Sequence, residues 1–213
     1  SYNSQKRFIA DASHELKTPL AVIKTNLEIL KANKCESVES QGKWIEYISF
    51  QTDRMSKLVN DLLYLAKVDN NEVLGEKSEF NISDVIMNQL LSFEAIIYEN
   101  SISLDYDIQE DIKFFGNKEG VNQVVGILLD NAIKHSYKGK DIIVKLVENK
   151  GEITFSITNY GEVIPEEDLN KIFDRFYRVD KSRSREKGGH GLGLSIAKTI
   201  VEKEGGNIKV ISK

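Results

Sequence analysis

The sequence has little cysteine, little proline and no excess of basic charge, and each shortage excludes a class of protein. Cys35 is the single cysteine among 213 residues, so no internal disulfide can form and we expect a reducing compartment. Lysine and arginine number 29 against 33 aspartates and glutamates, for a net charge of −4. This balance offers no electrostatic argument for binding nucleic acid or an anionic membrane. No apolar run approaches the roughly 18 residues that span a bilayer.

Apolar residues in the first third of the chain recur in alternating steps of four and three, the pattern of a coiled-coil seam. The first seam is Ile9, Ser13, Leu16, Leu20, Ile23, Leu27 and Leu30, and the second is Trp44, Ile48, Gln51, Met55, Leu58, Leu62 and Leu65. The polar segment 33–42 between them ends in glycine and predicts a turn. Two long helices joined by a short loop form an antiparallel hairpin. Because one hairpin cannot bury both seams, we expect a homodimeric four-helix bundle.

One histidine lies off the first seam and is therefore expected to face water. His14 is followed by Glu15 and, one helical turn later, by Thr18. Pro19 cannot donate a hydrogen bond to the carbonyl of Glu15, so the helix should bend or loosen there. An imidazole, a carboxylate and a hydroxyl on the exposed side of one helix can act together chemically. The alternative is a solvated surface histidine beside a helix kink.

Beyond residue 69 the heptad pattern stops, and the chain divides into a hairpin domain (1–69), a polar linker (70–79) and a second domain (80–213). The second domain is predicted to contain helices at 81–97, 117–136 and 192–204, a short helix from Pro165, and strands at 102–108, 112–115, 141–148, 152–159 and 207–212. Asn149-Lys150-Gly151 predicts a hairpin turn, and Gly205-Gly206 ends the last helix. Helices and antiparallel strands in mixed order predict a two-layer α+β sandwich.

Two stretches of the second domain are suited to binding phosphate. Asn131 and Lys134 are three residues apart on a predicted helix, so their side chains can reach one ligand together. Glycines in the segment 188–193 let the backbone approach phosphates, and the helix that follows offers free N–H groups and its positive dipole end. The alternatives are an ordinary polar helix residue at Asn131 and an ordinary flexible glycine loop.

These features together resemble a known family. His-Glu-x-x-Thr-Pro at 14–19 resembles the H-box of bacterial sensor histidine kinases. Segments 123–136, 158–165, 171–178 and 188–195 resemble, in order, the N, G1, F and G2 boxes of their catalytic domain. The resemblance implies the Bergerat ATP-binding fold, which also occurs in gyrase, in Hsp90 chaperones and in mismatch-repair ATPases. It also implies the cytoplasmic portion of a cell-membrane protein, attached to the membrane only through an upstream segment.

The resemblance also implies roles for individual residues. His14 would take the γ-phosphoryl group of ATP, Glu15 would fix the tautomer of His14, and Thr18 would orient a water that dephosphorylates a response regulator. Asn131 would hold Mg²⁺, and Asn159 would read adenine. The other implied nucleotide contacts are Lys134, His135, Gly161, Tyr177, Arg178, Gly189, Gly191, Leu192 and Gly193. Among these, Lys134 meets phosphate and Arg178 grips the γ-phosphate. The phosphoryl group would then pass to an aspartate of a response regulator docked on the bundle.

Three positions depart from the pattern of this family. Ile127 replaces an asparagine one turn before Asn131, and an aliphatic side chain cannot bind Mg²⁺ or phosphate. Asn159 replaces the usual aspartate, and Val163 replaces a glycine. Two alternatives follow, a dimeric scaffold with a decayed nucleotide site and a protein biased towards phosphatase activity. Nearby, Arg175 is expected to be a solvated charge and His190 an ordinary residue of the loop.

Overall fold

A computed structural model describes residues 2–69, 75–179 and 189–213. Its first part is the expected hairpin of two long helices, α1 (Tyr2–Ala32) and α2 (Gly42–Asp69). Helix α1 is continuous through Pro19, which is buried. The connecting turn is held by the side chain of Gln41, whose amide donates to the carbonyl of Asn33 at 2.6 Å. None of the helices in the described ranges combines the length and apolarity needed to cross a bilayer.

The second part of the chain is a mixed α/β unit. Its elements are β1 (Ser78–Asn81), α3 (Ile82–Glu99), β2 (Ser103–Ile108), β3 (Lys113–Gly116), α4 (Lys118–His135), β4 (Asp141–Asn149), β5 (Glu152–Asn159) and α5 (Gly193–Lys203). Two single-turn 3-10 helices lie at Glu166–Asp168 and Lys171–Phe173. This order confirms the predicted class, a helical hairpin followed by an α/β sandwich. The exact domain boundaries, including the linker at 70–79, stay a prediction.

Asparagine caps begin the two sheet-packing helices. The side chain of Asn81 accepts hydrogen bonds from the backbone N–H groups of Ser83 and Asp84, at the start of α3. The side chain of Asn117 accepts one from Gly120 N–H at 2.8 Å, at the start of α4. Each cap satisfies backbone donors that have no partner within the helix.

The strands form two small sheets. Strands β1 and β3 pair antiparallel, and the three-stranded sheet has the order β2-β4-β5. Strands β4 and β5 form the predicted hairpin, and its turn places Lys150 and Gly151 at φ of 53° and 83°. Positive φ at both central residues is the geometry that matches the twist of paired strands.

The structure adds one strand to those predicted and corrects two predictions about the others. Strand β1 had no sequence signal, because four residues are too few to show alternation. Strands β2 and β4 are parallel rather than antiparallel, because the intervening β3 and α4 form a crossover that returns the chain to the same end of the sheet. Residues 207–213 form no strand. The hydroxyl of Ser212 accepts a hydrogen bond at 2.9 Å from the N–H of Ile164, which precedes the 3-10 helices.

The chain has two apolar cores. One lies between helices α3 and α4 and the three-stranded sheet. The other joins α2 to α4 and α5, and in it Leu58 and Leu65 of α2 are fully buried against Leu192, Ile196 and their neighbours. The sequence pattern had assigned both leucines to the dimer seam. Instead, the second domain of the same chain covers Leu58 and Leu65. This packing places the glycine segment against the hairpin.

Candidate functional site

His14 lies on the exposed side of α1, as its position off the seam predicted. The ring makes no hydrogen bond to any residue in the described ranges. Thr18 is also exposed, and its hydroxyl donates to the carbonyl of His14 at 3.4 Å. Because this bond occupies the carbonyl of the backbone and leaves the ring untouched, the imidazole is open to an incoming reactant.

Glu15, the next residue, points the other way and contacts basic side chains from three segments. Its Oε1 accepts a short hydrogen bond from Arg178, while its Oε2 lies 3.8 Å from Nη2 of Arg54 and 3.7 Å from Nδ1 of His190. Burial alone would raise the pKa of Glu15, but the nearby His190 and Arg178 outweigh it and lower the pKa below its usual 4.5. In this arrangement Glu15 does not contact the ring of His14, so its predicted role in fixing that tautomer stays a prediction.

The segment that resembles the N-box lies on α4 and presents its polar residues along one side. Asn131 is partly exposed, and its side-chain amide makes no hydrogen bond to the described residues. Lys134 is held by Asp130, with Nζ 2.8 Å from Oδ2, and Lys57 of α2 reaches the same oxygen at 3.1 Å. Burial raises the pKa of Asp130, but its bonds to the two lysines lower it overall. His135 ends the helix and is exposed.

The segment that resembles the G1 box is packed directly on the end of α4. Tyr137 N–H donates to the carbonyl of Tyr160 at 2.8 Å. A Cβ placed on Gly161 would lie 1.9 Å from the carbonyl oxygen of His135, so only glycine fits between the two segments. Asn159 ends β5 with its side chain partly exposed and without a hydrogen bond to the described residues. The amides of Asn131 and Asn159 are therefore both available to a ligand.

The F-box and glycine segments meet each other at their inner ends. Phe176 has a φ of 62°, and its N–H donates to the carbonyl of Gly191 at 2.8 Å. A Cβ on Gly191 would lie 2.8 Å from the backbone of both Phe176 and Tyr177, which requires glycine there. Arg178 donates from Nη1 to the carbonyl of Gly189 at 3.1 Å. These bonds join residues 176–178 to residues 189–191, and the predicted features at 180–188, including Gly188, lie outside the described residues.

The remaining predicted residues have structural partners. Tyr177 donates its hydroxyl to Asp168 at 2.6 Å, and this bond raises the pKa of Tyr177 to about 12. Leu192 is fully buried in the core with α2. Gly193 begins α5, and a Cβ there would lie 3.2 Å from Cγ2 of Ile127. The residue that departs from the N-box pattern thus packs against the start of the glycine-led helix.

Sequence reasoning missed two residues that join the halves of the chain. His190, expected to be an ordinary loop residue, is 4% exposed and contacts both helices of the hairpin. Arg175, expected to be a solvated charge, makes a bidentate pair with Asp69 at 2.7 and 2.8 Å and lies 5.2 Å from the ring centre of Phe8. The position of His190 within a run of glycines was the only sequence feature that could have indicated its role, and no sequence feature indicated the role of Arg175.

The fold and the site together define a class of protein. A helical hairpin presents an exposed histidine, and an α/β sandwich with two available amides and a glycine-led helix packs against that hairpin. Amide oxygens and a helix N-terminus are groups that suit Mg²⁺ and phosphate. The arrangement is that of a phosphoacceptor domain with an attached nucleotide-binding domain.

Comparison with known proteins identifies the family. Residues 4–71 match the His Kinase A (phospho-acceptor) domain, and residues 116–213 match the histidine kinase-, DNA gyrase B-, and HSP90-like ATPase. The signal transduction histidine-protein kinase ArlS of Staphylococcus aureus (strain USA300) is 40% identical over the whole chain, which spans 47% of the length of that relative. The chain belongs to the histidine kinases.

Solved structures agree with this assignment. The histidine kinase ThkA in complex with the response regulator protein TrrA aligns with a TM-score of 0.78 and 26% identity, covering 97% of this chain and 57% of that one. The catalytic domain of ThkA alone is 30% identical with a TM-score of 0.55, covering 61% of this chain and 82% of that domain. Acinetobacter baumannii AdeS, at 24% identity, a TM-score of 0.70 and coverage of 89% and 86%, shares the fold.

Proposed function

We propose that this chain is the kinase core of a two-component signalling protein. It uses ATP to phosphorylate its own His14 and passes the phosphoryl group to an aspartate of a response regulator. The observation that carries the proposal is the exposed ring of His14, one residue from a carboxylate that already contacts Arg178 and His190 of the attached domain. Arg178 ends the segment that resembles the F-box, and His190 lies in the segment that resembles the G2 box.

The nucleotide site is built from residues of α4, of β5 and of the glycine segment. Asn159 accepts a hydrogen bond from the adenine amino group through its amide oxygen. Lys134 offers its ammonium to phosphate once it leaves Asp130, and the N–H groups at the start of α5 face the same anion. Mg²⁺ would neutralise phosphate charge, and Asn131 is the residue that would hold it. Because Mg²⁺ prefers oxygen ligands, the amide oxygen of Asn131 would bind it together with phosphate oxygens.

At His14 the chemistry is nucleophilic attack by a neutral ring nitrogen. The nitrogen that carries no hydrogen would attack the γ-phosphorus, the bond from this phosphorus to the β–γ bridging oxygen would break, and ADP would leave. The phosphorylated ring is then cationic until it loses the hydrogen of its other nitrogen, so a neighbouring base that takes this proton assists the reaction. Glu15 is the proposed base, and it becomes available when its bond to Arg178 opens. Arg178 then turns to the γ-phosphate, where a guanidinium can stabilise the charge that develops during transfer. Thr18 is proposed to orient water when the regulator is dephosphorylated.

The partners follow from what the hairpin leaves uncovered. Large apolar side chains stay exposed along both helices of the hairpin: Ile9, Leu20, Leu27, Val59 and Leu63. Shallow apolar grooves run beside them between α1 and α2. We propose that a second copy of the chain covers this surface in a four-helix bundle, and that a response regulator docks on the outer side near His14. Location at a membrane stays a prediction of the family resemblance.

Phosphate transfer from labelled ATP tests the proposal directly. The chain is incubated with γ-labelled ATP and Mg²⁺, and the acid lability of the incorporated label is measured. We expect acid-labile label on the parent chain and on Lys17→Gln, a matched exposed position on the same helix, and none on His14→Gln. Label of the same lability on His14→Gln would refute the assignment of His14.

A second candidate function is favoured by the contact between Ile127 and Gly193. An aliphatic side chain at the start of the glycine-led helix suits a scaffold whose nucleotide site has decayed, or a protein that mainly dephosphorylates its regulator. Thermal unfolding with and without Mg²⁺-ATP separates the scaffold from the kinase, because only a nucleotide-binding protein is stabilised by the ligand. Comparison of autophosphorylation with regulator dephosphorylation separates the phosphatase.

A further inference from the structure

Four ionisable side chains from four separate segments meet where the glycine segment touches the hairpin. We call Glu15 of α1, Arg54 of α2, Arg178 and His190 the junction cluster. Their side chains are 17%, 9%, 9% and 2% exposed, respectively. Ionisable groups buried to this degree are costly unless each finds a partner. The details of each contact therefore decide how stable the contact between the two domains is.

The contacts of His190 determine which ring nitrogen carries the hydrogen. Nε2 lies 3.1 Å from the carbonyl oxygen of Arg54, and a carbonyl can only accept, so Nε2 must be the donor. In the neutral ring Nδ1 then has a bare lone pair. Nδ1 is buried without a hydrogen-bond partner and lies 3.7 Å from Oε2 of Glu15. The neutral ring thus turns a lone pair towards a carboxylate, whereas a proton on Nδ1 makes this contact an ion pair.

Oε2 of Glu15, the oxygen that faces His190, can accept a bond from a protonated Nδ1. The short bond from Arg178 goes to the other oxygen, Oε1, and Oε2 has Arg54 at 3.8 Å as its second neighbour. Asp61 of α2 is the other carboxyl group whose charge interacts with His190, and burial raises the pKa of Asp61. Glu15 is held ionised by its cations, so it is the carboxylate that a protonated His190 would meet.

We propose that His190 is a positioning residue that seats the glycine segment on the hairpin, and that it does so more strongly when both ring nitrogens carry a proton. In the seated arrangement Arg178 is bonded to Glu15 and to the carbonyl of Gly189. Glu15, the proposed base, and Arg178, the proposed ligand of the γ-phosphate, are therefore bonded to each other and unavailable for catalysis. The seated arrangement is a resting one, and it gains population when His190 takes up a second proton.

The ion pair between Lys57 and Asp130 provides a measure of how often the second domain is seated on the hairpin, and this measure does not depend on catalysis. Nζ of Lys57 in α2 lies 3.1 Å from Oδ2 of Asp130 in α4, so a zero-length carbodiimide can join the two domains there. Lys171 and Asp168, 3.3 Å apart within the second domain, serve as an internal reference for the effect of pH on the reagent. The measured quantity is the yield of the Lys57–Asp130 peptide relative to the Lys171–Asp168 peptide, by mass spectrometry, at pH 6 and pH 7.5.

The variants separate the proton on His190 from simple packing. In the parent chain we expect the relative yield to be about threefold higher at pH 6 than at pH 7.5, the size of a modest ion pair. His190→Gln keeps a donor for the carbonyl of Arg54 but cannot be protonated, so its relative yield should not change with pH. Glu15→Gln should also lose the pH dependence, while Asp61→Asn should keep it. A parent yield independent of pH, or a dependence that survives in His190→Gln, would overturn the proposal.

The kinetic consequence rests on the proposed function, whereas the cross-linking result does not. The ratio of the autophosphorylation rate of His190→Gln to that of the parent should rise about threefold between pH 7.5 and pH 6. The ratio cancels every effect of pH that the two chains share. A ratio that does not change with pH would refute the resting role, and absence of label from both chains would refute the kinase assignment while the cross-link still decides the seating.

Discussion

A single methyl group at Gly161 would test how closely the segment after β5 is packed on helix α4. In Gly161→Ala the new Cβ would start 1.9 Å from the carbonyl oxygen of His135 and 3.1 Å from its carbon. Carbon and oxygen atoms in contact stay about 3.3 Å apart, so the two backbone segments must separate by about 1.4 Å. Both are backbone segments, so no side-chain rotation can relieve the overlap.

The cost follows from what this separation disrupts. Overpacking alone costs about 1–3 kcal/mol, and stretching the bond from Tyr137 N–H to the carbonyl of Tyr160 adds about 1 kcal/mol. A loss of about 2–4 kcal/mol corresponds to a fall in melting temperature of about 6–12 °C for a domain of this size. Asn159, two residues before the substitution, should shift with the loop, so protection by Mg²⁺-ATP should weaken as well.

The assay is thermal unfolding at one fixed protein concentration, with and without nucleotide. Gly126→Ala is the matched control, since it lies within α4 and its Cβ would have Gln89 as nearest neighbour at 3.7 Å. Replacing glycine by alanine inside a helix is expected to stabilise by up to about 1 kcal/mol. If Gly161→Ala unfolds within about 1 °C of the parent while Gly126→Ala behaves as expected, the argument from close packing is refuted.

Three further predictions concern charged and hydrogen-bonded groups. Arg175→Ala should cost about 0.5–1 kcal/mol, since its partner Asp69 is half exposed, and a double-mutant cycle with Asp69→Asn should return that amount as coupling; a coupling of zero would contradict it. Burial opposes ionisation of Glu15, but the cations of the junction cluster outweigh it and hold its pKa below 4.5. Its stabilising effect is therefore complete above pH 4.5 and is lost as pH falls through the lower folded-state value, so the stability difference between the parent and Glu15→Gln should shrink below about pH 4. The bond to Asp168 raises the pKa of Tyr177 to about 12, so at pH 11 the parent and Tyr177→Phe should show equal tyrosinate absorbance, and a lower value for the variant would refute the bond.

Local patterns in the sequence were enough to predict the helices, the β-hairpin and the exposure of His14. Heptad spacing determines the rotational phase of a helix, and this phase alone places His14 on the side away from the seam. The turn at Lys150-Gly151 is equally local, because it depends on a few neighbouring residues. The ordered boxes of the second domain predicted the family in the same way.

Contacts between distant segments were beyond the reach of those patterns. Leu58 and Leu65 satisfy the heptad as well as any seam residue, yet the second domain covers them. Nothing in the sequence distinguishes burial by a second copy from burial by a later part of the same chain, since both need only an apolar side chain. Strand β1 and the parallel pairing of β2 with β4 depend likewise on how the chain returns to itself.

The sequence by itself determined that an exposed histidine on a helical hairpin is followed by a domain of the ATP-binding family. Only the tertiary structure decided what Glu15 and His190 contact, because their partners lie 163 and 136 residues away, at Arg178 and Arg54. Charge and hydrogen-bond direction act over a few ångströms, so such partners are selected when one domain docks on the other. Helical periodicity carries no information about that docking.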